Sequence, residues 1–195
     1  MSTTSRTLKV VGGAALVAGA FTVFSRLRYR RSTMATLSEY AVLPTKALRS
    51  CIPVTDWIAR AAGGPEPRRA LSFPFWSRSH YDVERRDDEG MPVYYVRPYA
   101  PSDTVVVYLH GGGYITTASL GQSLLIDNLA RRTGADFVVP LYPLAPHHTW
   151  QEAHRLVLDL CARILSDNAD KRVILMGDSA GGGLALVIAL SLAER

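Results

Sequence analysis

Val173-Ile174-Leu175-Met176-Gly177-Asp178-Ser179-Ala180-Gly181-Gly182 is the stretch on which the reading of this chain turns. Four apolar residues, short enough for a buried strand, run into a serine with a glycine two positions to either side, and an Ala/Leu-rich helical stretch follows. Strand, tight turn and helix in that order predict a nucleophile elbow, in which small neighbours let the backbone fold sharply enough to expose a serine hydroxyl. A second signal lies upstream, where His110-Gly111-Gly112-Gly113-Tyr114 closes another apolar run. Residues without a Cβ let backbone amides approach a substrate oxygen, which is what an oxyanion-binding loop requires.

Outward from the elbow, the pattern alternates strands and helices. Tyr81 to Arg85 and Val93 to Val96 flank the turn Asp87-Asp88-Glu89-Gly90 and predict a hairpin. Thr104 to Leu109 is a β-branched run of buried-strand length. Leu120, Leu124, Leu125 and Leu129 recur at helical spacing and predict an amphipathic helix with those leucines on its apolar face, stopped at Gly134. Phe137 to Leu141 is a further short strand. Thr149-Trp150-Gln151-Glu152 has capping-box spacing and opens a helix with Ala153, Leu156, Val157, Leu160 and Ile164 on one face. Hairpin, strand, helix, strand, helix, strand, helix implies an α/β fold with a mostly parallel sheet and flanking helices.

Composition removes several function classes. The 195 residues carry a formal charge of +5, but Arg6, Lys9, Arg26, Arg28, Arg30 and Arg31 all precede the first acidic residue, Glu39. The remainder is close to neutral, which argues against a nucleic-acid partner. Cys51 and Cys161 fit neither a metal site nor a disulfide framework, and the chemistry calls for no metal and no cofactor. Val10 to Phe24 is apolar and flanked by Lys9 and Arg26 to Arg31, at the short edge of the roughly 17 to 25 residues a spanning helix needs. A signal anchor, a cleaved signal peptide and a mitochondrial presequence compete for it. The heavier basic cluster after the apolar core favours the anchor, with the membrane as a partner and a membrane-bound domain facing the cytoplasm.

The combination His-Gly-Gly-Gly-Tyr and Gly-Asp-Ser-Ala-Gly-Gly, with Tyr142-Pro143-Leu144-Ala145-Pro146 between them, resembles the hormone-sensitive-lipase-like esterases of the α/β-hydrolase superfamily over residues 80 to 195. An anchored member would be similar to the arylacetamide-deacetylase branch. The middle loop departs from the usual Tyr-Arg-Leu-Ala-Pro-Glu, with Pro143 at the arginine and His147 at the glutamate. The resemblance implies three regions: 1–35 an anchor or targeting segment, 36–79 a cap-like part, and 80–195 a partial hydrolase domain. It implies Ser179 as nucleophile, Gly111, Gly112 and Ala180 as oxyanion donors, His110 as the residue that orients the loop, and a small-molecule ester or lipid as substrate.

The family's aspartate and histidine lie on later loops, so the expected chain is the N-terminal part of the fold, lacking its last strands. His80, His147, His148 and His154 are the upstream alternatives for a base, and Asp178 is expected to brace the turn locally. The final helix is apolar nearly all round, from Leu184 to Leu192, a pattern suited to a helix packed within a larger body. Two functions remain open: a serine ester hydrolase, or a catalytically inactive, membrane-tethered relative. A peptidase of the prolyl-oligopeptidase type fits the His-Gly-Gly-Gly loop less well.

Overall fold

The computed structural model describes Thr22, Val23, Arg26, Leu27, Gly64, residues 70–74, Ser77 and residues 79–195. Two compact units divide the chain, Met1–Trp57 and Ile58–Arg195. In the first, Thr22, Val23, Arg26 and Leu27 are helical. Most of the cap-like stretch 36–79 and of the apolar leader lies outside the described residues.

The second unit is built on a five-stranded sheet. β1 (Tyr81–Asp88) and β2 (Met91–Pro98) form an antiparallel hairpin. Its two turn residues, Glu89 and Gly90, both have positive φ (52° and 81°), which matches the twist of the flanking strands. The Asp87 carboxylate accepts the Gly90 amide at 2.8 Å. β3 (Thr104–Leu109), β4 (Asp136–Pro140) and β5 (Arg172–Gly177) complete the sheet in the order β1-β2-β4-β3-β5. β2 pairs antiparallel to β4, whereas β3 runs parallel to both β4 and β5.

Helices cover both faces, so the strands bury both sets of alternating side chains. Val105, Val107 and Leu109 join the core under α2 (Trp150–Asp167) and α3 (Ala180–Ala193), while Val106 and Tyr108 join the core under α1 (Leu120–Thr133). Ala153, Leu156, Val157, Leu160 and Ile164 are buried along α2 as their spacing predicts. Cys161 lies among them, and burial pushes its thiol up to about 12. Gly134 ends α1 in the left-handed region, φ 67°.

The leucine face predicted for α1 is not the buried one. Leu120, Leu124 and Leu125 are exposed, and the helix packs through Ser123, Ile126, Asp127 and Ala130. Polar bonding overrides hydropathy here: the buried Asp127 carboxylate accepts from Ser77 at 2.7 Å and Tyr81 at 2.8 Å and pairs with Arg131 at 2.8 Å. Burial alone would raise this carboxyl. The Ser77, Arg131 and Tyr81 hydrogen bonds outweigh burial and hold it below the ordinary carboxylate range.

The membrane anchor, the membrane as a partner and the membrane-bound location suggested by the leader require correction. No helix among the described residues is long and apolar enough to cross a membrane. The apolar run and its flanking basic cluster suggested the anchor, but Val10 to Phe24 is shorter than the roughly 20 apolar residues that bridge a hydrocarbon core.

β5 forms one edge of the sheet, and α3 exposes Leu186, Val187 and Leu190 on its outer side. Leu184, Ala185 and Ile188 supply its buried side.

Candidate active site

β3 and β5 are neighbours, and both end at the same rim of the sheet. The last register pair, Leu109 with Gly177, sets the glycine loop beside the elbow. Gly177 and Gly181 are there for space. A Cβ on Gly177 would fall 2.4 Å from the Gly181 carbonyl oxygen, and one on Gly181 would fall 2.0 Å from that of Leu109. Both obstacles are backbone, which cannot swing aside.

Between them, Ser179 has φ 50° and ψ −122°, a conformation that side chains seldom adopt and that usually marks a functional site. A serine preceding a helix ordinarily turns its oxygen back to cap the first amides. Ser179 makes no such bond, and its side chain is exposed at the start of α3. The helix N-terminus behind it favours negative charge at that point.

The upstream loop is held from several directions. His110 is fully buried, stacked on the Tyr142 ring at 4.4 Å between centroids and 7° between planes. Its Nδ1 lies 2.9 Å from the Gly111 carbonyl. A carbonyl can only accept, so Nδ1 carries the hydrogen and Nε2 is bare, and Nε2 has no partner among the described residues. Burial lowers the His110 pKa, partly offset by the Gly111 bond and the Asp178 charge. Tyr142 donates its hydroxyl to the His110 carbonyl at 2.5 Å. Beyond the glycines, Tyr114 is, with Glu89 and Ser179, a non-glycine residue at positive φ (63°), and its carbonyl accepts the Ala145 amide at 2.8 Å. Pro143 and His147, which depart from the family pattern, flank this middle-loop contact.

Asp178 is expected to brace its own turn, but its carboxylate bonds to residues far away in sequence. Its Oδ1 accepts the Tyr108 hydroxyl at 2.6 Å and the Gly111 amide at 2.8 Å, and both carboxylate oxygens accept from Gln122 Nε2 at 3.1 Å. Burial raises this carboxyl, but the Tyr108, Gly111 and Gln122 donors together hold it below the ordinary range. The tie leaves no room for a side chain on Gly111, whose Cβ would lie 2.3 Å from Asp178 Oδ2. Ser119-Leu120-Gly121-Gln122 has capping-box spacing, and the structure forms that box. Nothing in the sequence pointed to Tyr108.

The structure sets Gly111 and Gly112 beside Ser179 and Ala180, where β3 and β5 end. The Gly111 amide is committed to Asp178, whereas those of Gly112, Gly113 and Ala180 donate no hydrogen bond within the described residues. Gly112 sits at φ 139°, where a Cβ would also strike the Thr116 carbonyl oxygen at 2.4 Å. Ser179 makes no side-chain hydrogen bond within the described residues, and three candidate histidine rings are engaged elsewhere, His80 with Ser79, His148 with Glu152 and His154 with Ser191, while His147 is exposed. No cluster of metal-ligating residues occurs among the described residues.

Comparison with known proteins agrees with this geometry. The alpha/beta hydrolase fold family matches residues 106–195. A triacylglycerol lipase of Mycobacterium tuberculosis is 34% identical over 162 residues, covering 80% of this chain and 35% of that protein. Hormone-sensitive lipase of Mus musculus is 27% identical over 190 residues, covering 88% of this chain and 25% of the lipase. The crystal structure of an esterase from the bacterial hormone-sensitive lipase family superimposes with a TM-score of 0.53 at 25% identity, covering 70% of this chain and 50% of the esterase. The chain spans between 28% and 40% of the length of the first six curated relatives. With its open α/β sheet, its glycine loop beside a strand–serine–helix turn and these relatives, the chain matches the hormone-sensitive-lipase-like branch of the α/β-hydrolase superfamily at the level of the family.

Proposed function

We propose that the chain carries the nucleophile and oxyanion site of a serine carboxylic-ester hydrolase acting on small-molecule esters or lipids. The observation that carries this reading is the backbone of Ser179, held at φ 50° and exposed between two glycines that admit no side chain. In the proposed reaction Ser179 Oγ bonds to the ester carbonyl carbon while a base takes its proton. The carbonyl oxygen gains the negative charge, then the alkoxide leaves as the acyl-enzyme forms. Because Asp178 occupies the Gly111 amide, the oxyanion donors are assigned to Gly112, Gly113 and Ala180, each worth about 3 kcal/mol of barrier. His110 serves as the support beneath them.

A second reading, a noncatalytic relative, draws on a different observation: none of the histidines bonds to Ser179 within the described residues. The two separate in hydrolysis of p-nitrophenyl esters by the 195-residue chain and by Ser179→Ala. Turnover that disappears with Ser179 supports the hydrolase. Catalysis by the oxyanion site alone does not need the serine, so only the rate lost in Ser179→Ala reports the nucleophile. Equal rates in the two proteins support the noncatalytic reading.

A further inference from the structure

We propose that Gln122 is a positioning residue for the chemistry at Ser179: its carboxamide ties the glycine loop to the elbow through Asp178 and the Gly111 carbonyl. The functional half of this inference rests on the ester-hydrolase reading. The structural half stands on the hydrogen bonds alone.

Every hydrogen-bonding atom of the Gln122 side chain is used. Oε1 accepts the Ser119 amide at 2.7 Å and the Ser119 hydroxyl at 2.9 Å, closing the capping box of α1. Nε2 faces the Asp178 carboxylate at 3.1 Å and the Gly111 carbonyl at 3.3 Å. Those two partners only accept and the Ser119 amide only donates, so the orientation of the carboxamide is fixed by its surroundings. One side chain therefore joins the start of α1, the end of β3 and the turn after β5.

The consequence falls on the Gly111 peptide. Its amide is held by Asp178 and its carbonyl by Gln122 and His110, so the residue entering the glycine loop is fixed on both sides. Gly112 and Gly113 follow directly, at φ 139° and 63°. Their amides take their direction from that anchored peptide. A displacement on the order of 1 Å at a reacting centre costs about 100-fold in rate, so a tie this near the donors bears on turnover.

The substitution Gln122→Glu separates capping from tying. A glutamate satisfies the same capping box as glutamine, but it has no N–H to give and sets a second negative charge against Asp178. The titratable groups around that point are Asp178, Tyr108 of β3, His110, and Tyr142 from the loop after β4. At acid pH a proton shared between the introduced carboxylate and Asp178 restores one donor.

The experiment is amide hydrogen exchange at Gly111 by NMR in the full chain, with ester turnover alongside. In Gln122→Glu at neutral pH, the Gly111 amide is expected to exchange at least about tenfold faster than in the unchanged chain, beyond any change at the core amides of β3. The ratio should shrink at acid pH, and Ser179-dependent turnover should lose kcat by about tenfold or more with KM little altered, recovering in the same pH range. Gln122→Met, which adds no charge, should show the faster exchange without the recovery. Ser119→Ala, which removes only the cap, should lower the thermal midpoint and leave the Gly111 exchange ratio alone. Unchanged Gly111 exchange in both Gln122 variants overturns the proposal, as does faster exchange with kcat intact. Absence of Ser179-dependent turnover in the unchanged chain overturns the hydrolase reading, while the exchange measurement still decides the tie.

Discussion

Asp178 Oδ1 accepts the Gly111 amide at 2.8 Å across 67 residues of sequence, joining the turn that presents Ser179 to the loop that faces it. The carboxylate bridges two strand ends, and its state of charge matters to both.

The sign of its pH dependence follows from the direction of the shift. A carboxyl held low in the folded protein contributes stability above its unfolded pKa of about 4, and loses that contribution as pH falls through the lower folded value. Urea unfolding of Asp178→Asn is expected to lack this part of the acid destabilisation seen in the unchanged chain.

His110 acts in a higher window. Burial lowers its pKa, so the folded state favours the neutral ring. That preference contributes fully above the unfolded pKa of about 6.5 and is lost as pH falls from there through the folded value. Stability measured against pH should begin to decline below about 6.5, and His110→Gln should remove that first decline.

Adjacent glycines should respond oppositely to alanine. A Cβ on Gly181 meets the Leu109 and His110 carbonyl oxygens at 2.0 and 2.5 Å, whereas on Gly182 the nearest atom is 3.3 Å away. Gly181→Ala should cost more than about 3 kcal/mol or prevent folding. Gly182→Ala should stay within about 1 kcal/mol, since the better helix propensity offsets a tight contact. Denaturant midpoints with matched slopes check both.

Tyr142→Phe removes the hydroxyl bonded to the His110 carbonyl and keeps the stacked ring. A buried acceptor left unpaired costs about 1 to 3 kcal/mol. Calorimetry should register a loss in that range with the fold intact.

Leu186 and Leu190 are 70% and 66% exposed on α3, beside the edge strand β5. Such a patch promotes association. Leu186→Lys together with Leu190→Glu should reduce concentration-dependent sedimentation while changing stability by no more than about 0.5 kcal/mol per site.

The parts legible in the sequence were those ruled by local chemistry. Gly177 and Gly181 around Ser179 announced a turn that only small residues permit, and the spacing from Ala153 to Ile164 announced a buried face. α1 was misread because its four leucines recur at helical spacing, while the packing is set by Asp127 finding Ser77 and Tyr81 far away in sequence. The same blindness hid the role of Gly111. The family resemblance implied an oxyanion donor there, whereas its amide bonds to Asp178, and nothing local to either residue reveals that pairing. Gln122 was readable as a cap and unreadable as a tie, because its second set of partners exists only once β3 and β5 lie side by side.

Mass spectrometry after prolonged exposure to a fluorophosphonate at mildly alkaline pH tests the central claim most directly, comparing the unchanged chain with Ser179→Ala. The account predicts one covalent adduct, on Ser179, absent from the variant. An unmodified Ser179, or equal labelling of the two proteins, would contradict it.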